Sequence, residues 1–328
     1  MSEWLTILPE ITVSIVLLSA LLLDKGLGEP KRFHHLIGFG RLANLIEAWF
    51  NKHHKAGEQQ TFSLNTAAIG TLCWLVLVIP VPFVYIYLHG YFTNSLSMLI
   101  LDVIILYLAI GQKSLQQHAN QVYQPLKNND VEQARHFTGY LVSRDTSQLT
   151  ESEMARATAE SMLENGNDAV ITSLVCYVIG GAPLVILHRL ANTLDAMWGY
   201  KNARFNSFGY AAAKLDDLLA FIPAKVCTLL YALQGAFWAS LKNAYRQGNQ
   251  YKSHNGGWVM AAGATALGYK LGGTAFYHGK QHNSPTLGQG KAIDIAAIPR
   301  SVNLVKRATS LLILFTFIGQ LTFMLLAK

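Results

Sequence analysis

Four stretches of the chain, 5–23, 64–88, 96–111 and 308–327, are so continuously apolar that water cannot be their only surroundings. A helix needs about 20 apolar residues to cross the hydrocarbon core of a bilayer, and all but 96–111 approach or exceed that length. Backbone polar groups in hydrocarbon must be satisfied inside the structure, so only helices and closed barrels span it. Strand-like alternation of apolar and polar residues is scarce in this sequence, which argues for helices. The expected fold is mainly α: a polytopic integral membrane protein with four to six membrane-embedded helices and large cytoplasmic helical loops.

Composition supports this reading. Hydrophobic residues make up 51% of the 328 and charged residues only 14%, where a soluble domain carries about 25% charged residues. Because the apolar segments run from end to end, 1–328 is read as a single integral-membrane domain. Its polar segments lie at about 24–63, 112–168, 189–217 and 241–307. A net charge of +7 could point to nucleic acid, but no Lys/Arg run exceeds two residues. The scattered bases are therefore topology determinants and anion contacts, and no nucleic-acid partner is expected. Cys73, Cys176 and Cys227 lie far apart inside apolar segments with no C-x-x-C spacing, which predicts buried, inert thiols. The first apolar run has no basic segment before it and no small-residue cleavage site after it, so it is read as a retained span rather than a signal peptide.

Two further segments, 169–188 and 218–240, are apolar but interrupted. The first contains "GGAP", and the second contains Pro223 and Lys225. Loop 24–63 carries six Lys/Arg, 89–95 none, 112–168 five and 241–307 nine. The positive-inside rule then sets the N-terminus outside and the large loops in the cytoplasm. Segment 189–216 carries four bases, so 169–188 and 218–240 are expected to dip or pack against the bundle rather than cross. All polar loops would then share the cytoplasmic face of a cytoplasmic (inner) membrane. Lipid is an expected partner.

Local signals place the chemistry-bearing residues. Thr150-x-x-Glu153 is a capping box that opens a helix through "SEMARATAESMLEN", and Gly166 is expected to loosen its end. On that helix Glu160, Glu164 and Asp168 are spaced four apart, which puts them on one face roughly 6 Å from turn to turn. Stacked acids repel unless a cation lies between them. Magnesium suits such a set, because it takes a few carboxylates and completes its shell with water and phosphate; the alternative is a solvated acidic face. Arg144–Asp145 precedes the helix and reads alone as a local pair or turn.

The segment "NTLDAMWGYKNARFNSFGYAAAKLDD" carries three acids, three bases and five aromatic rings between apolar flanks. Lys201, Arg204 and Lys214 would suit phosphate or carboxylate groups or act as headgroup anchors. Trp198, Tyr200, Phe205, Phe208 and Tyr210 would form an interfacial belt or the wall of a pocket for a large flat ligand. Adjacent Asp216 and Asp217 point about 100° apart on a helix, so only one faces a given ligand. In "YKSHNGGW", Ser253, Asn255 and the amides of Gly256 and Gly257 would cradle an anion at a helix start, or simply start a helix. The chain has neither the G-x-x-x-x-G-K-[ST] loop nor G-x-G-x-x-G, and its paired histidines lack i, i+4 ligand spacing.

Together these stretches resemble the CobD/CbiB family, the adenosylcobinamide-phosphate synthases. "LDKGLGEPKRFHHLIGFGR" is similar to that family's N-terminal D…GDP…HP…G-R element. "SRDTSQLTESEMARATAESMLENGNDAV" is similar to its G-R-D-T…L…E-S…E-N-x-x-D block. "NTLDAMWGYKNARFNSFGYAAAKLDDLLAFIPAK" follows N-T-L-D-S-M-x-G-Y-K…F-G…A-x-x-D-D-x-x-N-x-I-P-A-R almost position for position. "SHNGGW", "LGGTAFY" and "PTLG" follow in the family's order.

The resemblance implies a multi-span membrane enzyme using ATP as cosubstrate and magnesium. It would join the free propionate of adenosylcobyric acid, a corrinoid, to an aminoalkyl phosphate such as aminopropanol phosphate. Other cobalamin-assembly membrane proteins would be possible partners. Within the matched blocks Asp145, Asn192, Asp195 and Asp217 are the candidate catalytic residues. Arg144, Tyr200, Lys201, Arg204, Ser253, Asn255 and Gly256 would bind substrate or phosphate, and Glu160, Glu164 and Asp168 the metal.

The sequence departs from the pattern at Glu29, His35, Ser143, Ala220, Lys225 and His254. The Arg to Lys change at 225 gives up bidentate anion geometry, and the aminoalkyl phosphate preference is put in doubt. An alternative is a non-catalytic AmpE-like membrane sensor or corrinoid-binding assembly partner, which would predict loss of the acidic and N-T-L-D residues. A corrinoid transporter would predict uninterrupted spans.

Overall fold

The structure is a computed structural model that describes residues 11–30, 35–51, 62–91, 95–142, 145–277 and 280–327. It is mainly helical, and among the described residues four helical runs are long and apolar enough to cross a membrane: Leu64–Tyr91, Leu96–Lys127, Glu151–Trp198 and Ala297–Leu326. Three of them contain the expected spans 64–88, 96–111 and 308–327. For the expected span 5–23, the described part belongs to the helix Thr12–Leu27, and residues 1–10 lie outside the described residues.

The two interrupted segments behave differently from each other. Segment 169–188 lies within a long apolar helical run that breaks at the glycines: Gly180 and Gly181 leave helical geometry, and Gly181 has φ +63° and ψ −161°. Only glycine enters that region without strain. Pro183, two residues on, cannot donate to a preceding turn and so sits near the restart. Segment 218–240 contains the helix Phe221–Ala232, only 12 residues long, well under the ~20 a span needs. It ends at Ala232, and residues 233–236 are non-helical before the next helix, Phe237–Gly248, begins, so neither helix of this segment has the length of a span.

The chain forms two compact units, each built from separated stretches. The first comprises Met1–Gly28, Ile110–Thr172 and Phe221–Lys328, and the second Glu29–Ala109 and Ser173–Ala220. In the first unit the helix His254–Leu267 is the central packing element. Its run "MAAGATA" buries Ala261, Ala262 and Ala264 and presents almost no side-chain bulk, so neighbours approach closely. A Cβ on Gly263 would stand 2.8 Å from Leu163 Cδ2. Around it pack Phe221–Ala232, Phe237–Gly248 and Glu151–Gly166.

An antiparallel pair of strands, Lys270–Tyr277 and Lys280–Gly288, follows. Sequence alternation does not announce it, because the first strand is "KLGGTAFY" and its register shifts between Leu271 and Gly273. Gly272 at φ +77° would place a Cβ 2.0 Å from the Pro285 carbonyl oxygen, so no other residue fits there.

The second unit holds His35–Phe50, Leu64–Val78, Pro80–Tyr91, Ser95–Ala109, most of Thr172–Trp198 and Tyr210–Leu219. Its core gathers Ala43, Trp74, Leu77, Leu190, Leu194, Trp198 and Phe208. Asp102, from an otherwise apolar helix, accepts hydrogen bonds from the hydroxyls of Tyr85 and Tyr177, the latter at 2.6 Å. A carboxylate there needs such donors, since an unsatisfied charge in a membrane helix is costly. All three cysteines are free and buried, as expected.

Candidate active site

The helix Glu151–Gly166 starts with the expected capping box: Glu153 N–H donates to Thr150 Oγ1 (3.3 Å), and Thr150 N–H donates to Glu153 Oε2 (2.9 Å). Gly166 does not loosen its end. A Cβ there would meet Val305 Cγ2 at 2.5 Å and the Tyr231 hydroxyl at 2.9 Å, so this glycine permits tight packing. The helix then passes into a π-helical turn, Asn167–Ile171. Such turns widen the helix by one residue and are frequent at functional sites. Asp168 sits inside it and is displaced from the regular four-residue row of Glu160 and Glu164.

The three acids therefore do not share one point, and the described residues contain no cluster of three or more His, Cys, Asp or Glu able to hold a metal ion. Glu160 Oε1 accepts from Gly272 N–H at 2.8 Å, while Arg156 Nη1 donates to Gly272 O at 2.7 Å. That residue pair, one helical turn apart, clamps the strand pair at its bulge. The stack expected around a cation is thus reduced to Glu164 and Asp168.

Glu164 lies within electrostatic reach of Asp168, Lys252 and Glu160. Asp168 accepts from Asn167 Nδ2 at 2.8 Å. Asn167 is wholly buried, and its Oδ1 has no hydrogen-bond partner. An orphaned buried acceptor calls for an explanation. The Asp168 and Glu164 carboxylates, with an amide oxygen from the residue next to Asp168, are donors of the hard-oxygen kind that magnesium accepts.

The Ser253 turn differs from its expected role. Ser253 Oγ accepts from Gly256 N–H at 3.3 Å, and Ser253 O accepts from Gly257 N–H at 2.8 Å. Both glycine amides are spent on the helix start, so they do not form an anion cradle. Gly256 serves instead as clearance: a Cβ on it would stand 2.5 Å from Glu164 Oε1. Asn255 is buried at the same turn. Lys225, where the family pattern has arginine, lies with its ammonium 3.0 Å from the centroid of the Trp258 ring, a cation–π contact. Asp145 is exposed and accepts from Ser147 N–H at 2.9 Å, which holds its carboxyl below the usual range. It is the local turn that the sequence allowed. Arg144 lies outside the described residues.

In the second unit the aromatic-rich segment divides. Trp198 and Phe208 are core, ring centroids 5.0 Å apart and edge to face, while Tyr200 and Tyr210 are exposed. The five rings therefore form neither a uniform belt nor one pocket wall. Asn192 and Asp195 lie half-buried on the last turns of the helix that ends at Trp198, and Gly199 N–H donates to Asp195 O at 2.7 Å. A Cβ on Gly199 would fall 1.9 Å from Asp195 Oδ1, so a glycine is what leaves that carboxylate its place. Lys201 is exposed.

Arg204, expected to meet phosphate, instead grips the buried Glu47 with Nε at 3.0 Å and Nη2 at 2.5 Å. Since Arg204 is half-exposed, Arg204→Ala should destabilise the protein by about 1 kcal/mol. Thermal melts should show much of that loss recovered when Glu47→Gln is added, because the stranded charge is then gone. Of the two adjacent acids, Asp216 is the inward one, its charge reaching Cys176, whereas Asp217 is exposed.

A family model described as CobD/Cbib protein matches residues 17–305. The chain belongs to the CobD/Cbib family. It is similar to "Cobalamin biosynthesis protein CobD" of Stutzerimonas stutzeri, with 43% identity over 94% of this chain and 98% of that one. The protein of the same name from Chromobacterium violaceum is 45% identical over 88% and 90% of the two chains. That from Halalkalibacterium halodurans is 34% identical over 93% and 95%. No solved structure matches.

Within this CobD/Cbib chain the residue that sequence reading overlooked at Glu164 is Lys252. It precedes Ser253, and nothing in its spacing marks it as a neighbour of Glu164, which lies far back in the sequence. Arg156 was overlooked because its partner is a backbone carbonyl. Glu47 was overlooked because nothing in "NLIEAWF" marks an acid that will be buried.

Proposed function

We propose that this chain acts in cobalamin biosynthesis as an ATP-dependent carboxylate–amine ligase. It would join the propionate carboxylate of adenosylcobyric acid to the amine of an aminoalkyl phosphate, such as aminopropanol phosphate, giving adenosylcobinamide phosphate. Family membership supports the pathway. The observation that carries the reaction type is the Glu164–Asp168 pair with Lys252 acting on it beside the Ser253 turn. Both substrates and ATP are anions, and a site for them needs either cations or metal-bearing carboxylates. This site has both.

A carboxylate is a poor electrophile. Transfer of the ATP γ-phosphoryl group to the propionate oxygen makes an acyl phosphate and releases ADP. The amine then attacks the carbonyl carbon, the C–O bond to phosphate breaks, and phosphate leaves. The attacking nitrogen must first lose a proton, so a general base is required. Asp195 is the proposed base, its place left open by Gly199. Lys252 would hold a phosphate group, and Asn192, Tyr200 and Lys201 would contact substrate. Magnesium, which Glu164 and Asp168 would hold with the Asn167 carbonyl nearby, would neutralise phosphate charge. Glu160 and Arg204 take positioning roles, through Gly272 and Glu47.

The enzyme would sit in the inner membrane with its polar loops cytoplasmic, lipid around its spans and other cobalamin-assembly membrane proteins as neighbours. Removing magnesium with a chelator should abolish amide formation by the purified protein, and adding it back should restore the rate. Turnover that is indifferent to chelation would end the metal assignment. Turnover without ATP would end the ligase reading.

A further inference from the structure

Away from the acidic pair, the first unit contains a cavity of about 530 Å³, and its wall carries three lysines: Lys25, Lys113 and Lys306. They come from three different helices: Thr12–Leu27, Gln112–Lys127 and Ala297–Leu326. Lys306 lies within electrostatic reach of Lys25. Like charges on one wall repel, and the repulsion is relieved by an anion between them. The single acid on the wall, Asp24, offsets one of the three charges. It is buried and accepts from Lys113 N–H at 2.9 Å, at the start of the Gln112–Lys127 helix. Lys113 Nζ donates to Gly26 O at 2.8 Å and keeps two further donors. Gln116 and Asn120 add amide groups to the same wall.

We propose that this cavity binds a phosphate ester, held by Lys25 and Lys306 with Lys113 and the amides completing the contacts. Ammonium groups recognise phosphate as point charges, and three from separate helices can surround it from different sides. Leu21 and Leu22 also line the cavity, and two of its three helices, Thr12–Leu27 and Ala297–Leu326, run on into apolar sequence, so the lysines stand where a membrane protein meets headgroups. The phosphate could therefore belong to an anionic phospholipid or to a soluble phosphomonoester, and the two share this chemistry. The inference rests on the cavity alone and stands whether or not the chain is a ligase.

The test compares delipidated, detergent-purified wild type with Lys25→Gln/Lys306→Gln. Removing two mutually repelling charges leaves the fold intact, and the melting midpoint without ligand checks this. Phosphoethanolamine and inorganic phosphate are titrated by calorimetry, and short-chain phosphatidylglycerol, with phosphatidylcholine as control, by native mass spectrometry. Loss of each charge-assisted contact should weaken binding roughly tenfold. Phosphoethanolamine or phosphate binding that weakens by that much or more in the variant supports a soluble ester. Phosphatidylglycerol adducts lost in the variant support a headgroup. Binding equal in both proteins, or absent for every probe, overturns the proposal.

Discussion

Glu164→Gln should slow amide formation by about a hundredfold to a thousandfold, the range for removing one preorganised electrostatic group from a reacting site, and should leave the protein at least as stable as its parent. Glutamine keeps the shape of the side chain and removes its charge. Asp168 and Glu160 both push against the Glu164 charge, and only Lys252 favours it. Neutralisation removes both repulsions for the loss of one attraction, so it should not destabilise the folded state. A purely structural acid would behave in the opposite way, losing stability on neutralisation with no specific loss of rate. Steady-state rates and a melting curve on the same preparation separate the two.

Gly256→Ala makes a finer version of the same argument. Its Cβ would arrive 2.5 Å from Glu164 Oε1, and the long acidic side chain can swing away at little cost in stability. The carboxylate would then be misplaced, so activity should fall roughly tenfold to a hundredfold, as about 1 Å of displacement does in a preorganised site. A variant with full activity would mean that the carboxylate position does not matter.

Gly209→Ala should have the largest effect on folding, of about 3 kcal/mol or more, at the upper end of overpacking costs. The new Cβ would lie 1.7 Å from the Trp198 carbonyl oxygen and 3.1 Å from that of Phe205, and backbone cannot swing aside as a side chain can. Gly209 N–H also donates to Phe205 O at 2.8 Å, so the turn cannot shift without losing a bond. The contact closes the segment that runs from Trp198 to the helix Tyr210–Leu219. Opening it would expose Trp198 and Phe208 together, and tryptophan fluorescence reports this directly. Gly38→Ala is the control. Nothing lies within 4 Å of the added carbon, and alanine in a helix interior gains about 0.5–1 kcal/mol over glycine. Equal melting points for the two variants would contradict this account of the turn.

Much of the architecture was legible because it follows from solvent. Apolar runs 64–88, 96–111 and 308–327 can be satisfied only as helices in lipid, and helices they are. The capping box at Thr150 is legible for a related reason: its two hydrogen bonds are local, so the chain's spacing alone specifies them. The "GGAP" break follows from backbone geometry that only glycine reaches.

What was not legible depends on partners far away in sequence. The four-residue spacing of Glu160, Glu164 and Asp168 predicts one face, but the π-turn at Asn167–Ile171 moves Asp168, and Gly272, over a hundred residues on, claims Glu160. Arg204 reads as a free cation until Glu47 is found buried beneath it. Gly256 and Gly257 read as anion-binding amides, whereas Ser253 already takes both N–H groups. In each case the residue type was right for charge handling, and tertiary contact decided which charge it handles.

The central claim is ligation. Its most direct test is to incubate the folded, detergent-purified protein with adenosylcobyric acid, aminopropanol phosphate, ATP and magnesium, and to follow corrinoid mass together with ADP. The account predicts adenosylcobinamide phosphate and ADP formed in equal amounts. ADP release without amide, or no corrinoid product when ethanolamine phosphate is also supplied, would contradict it.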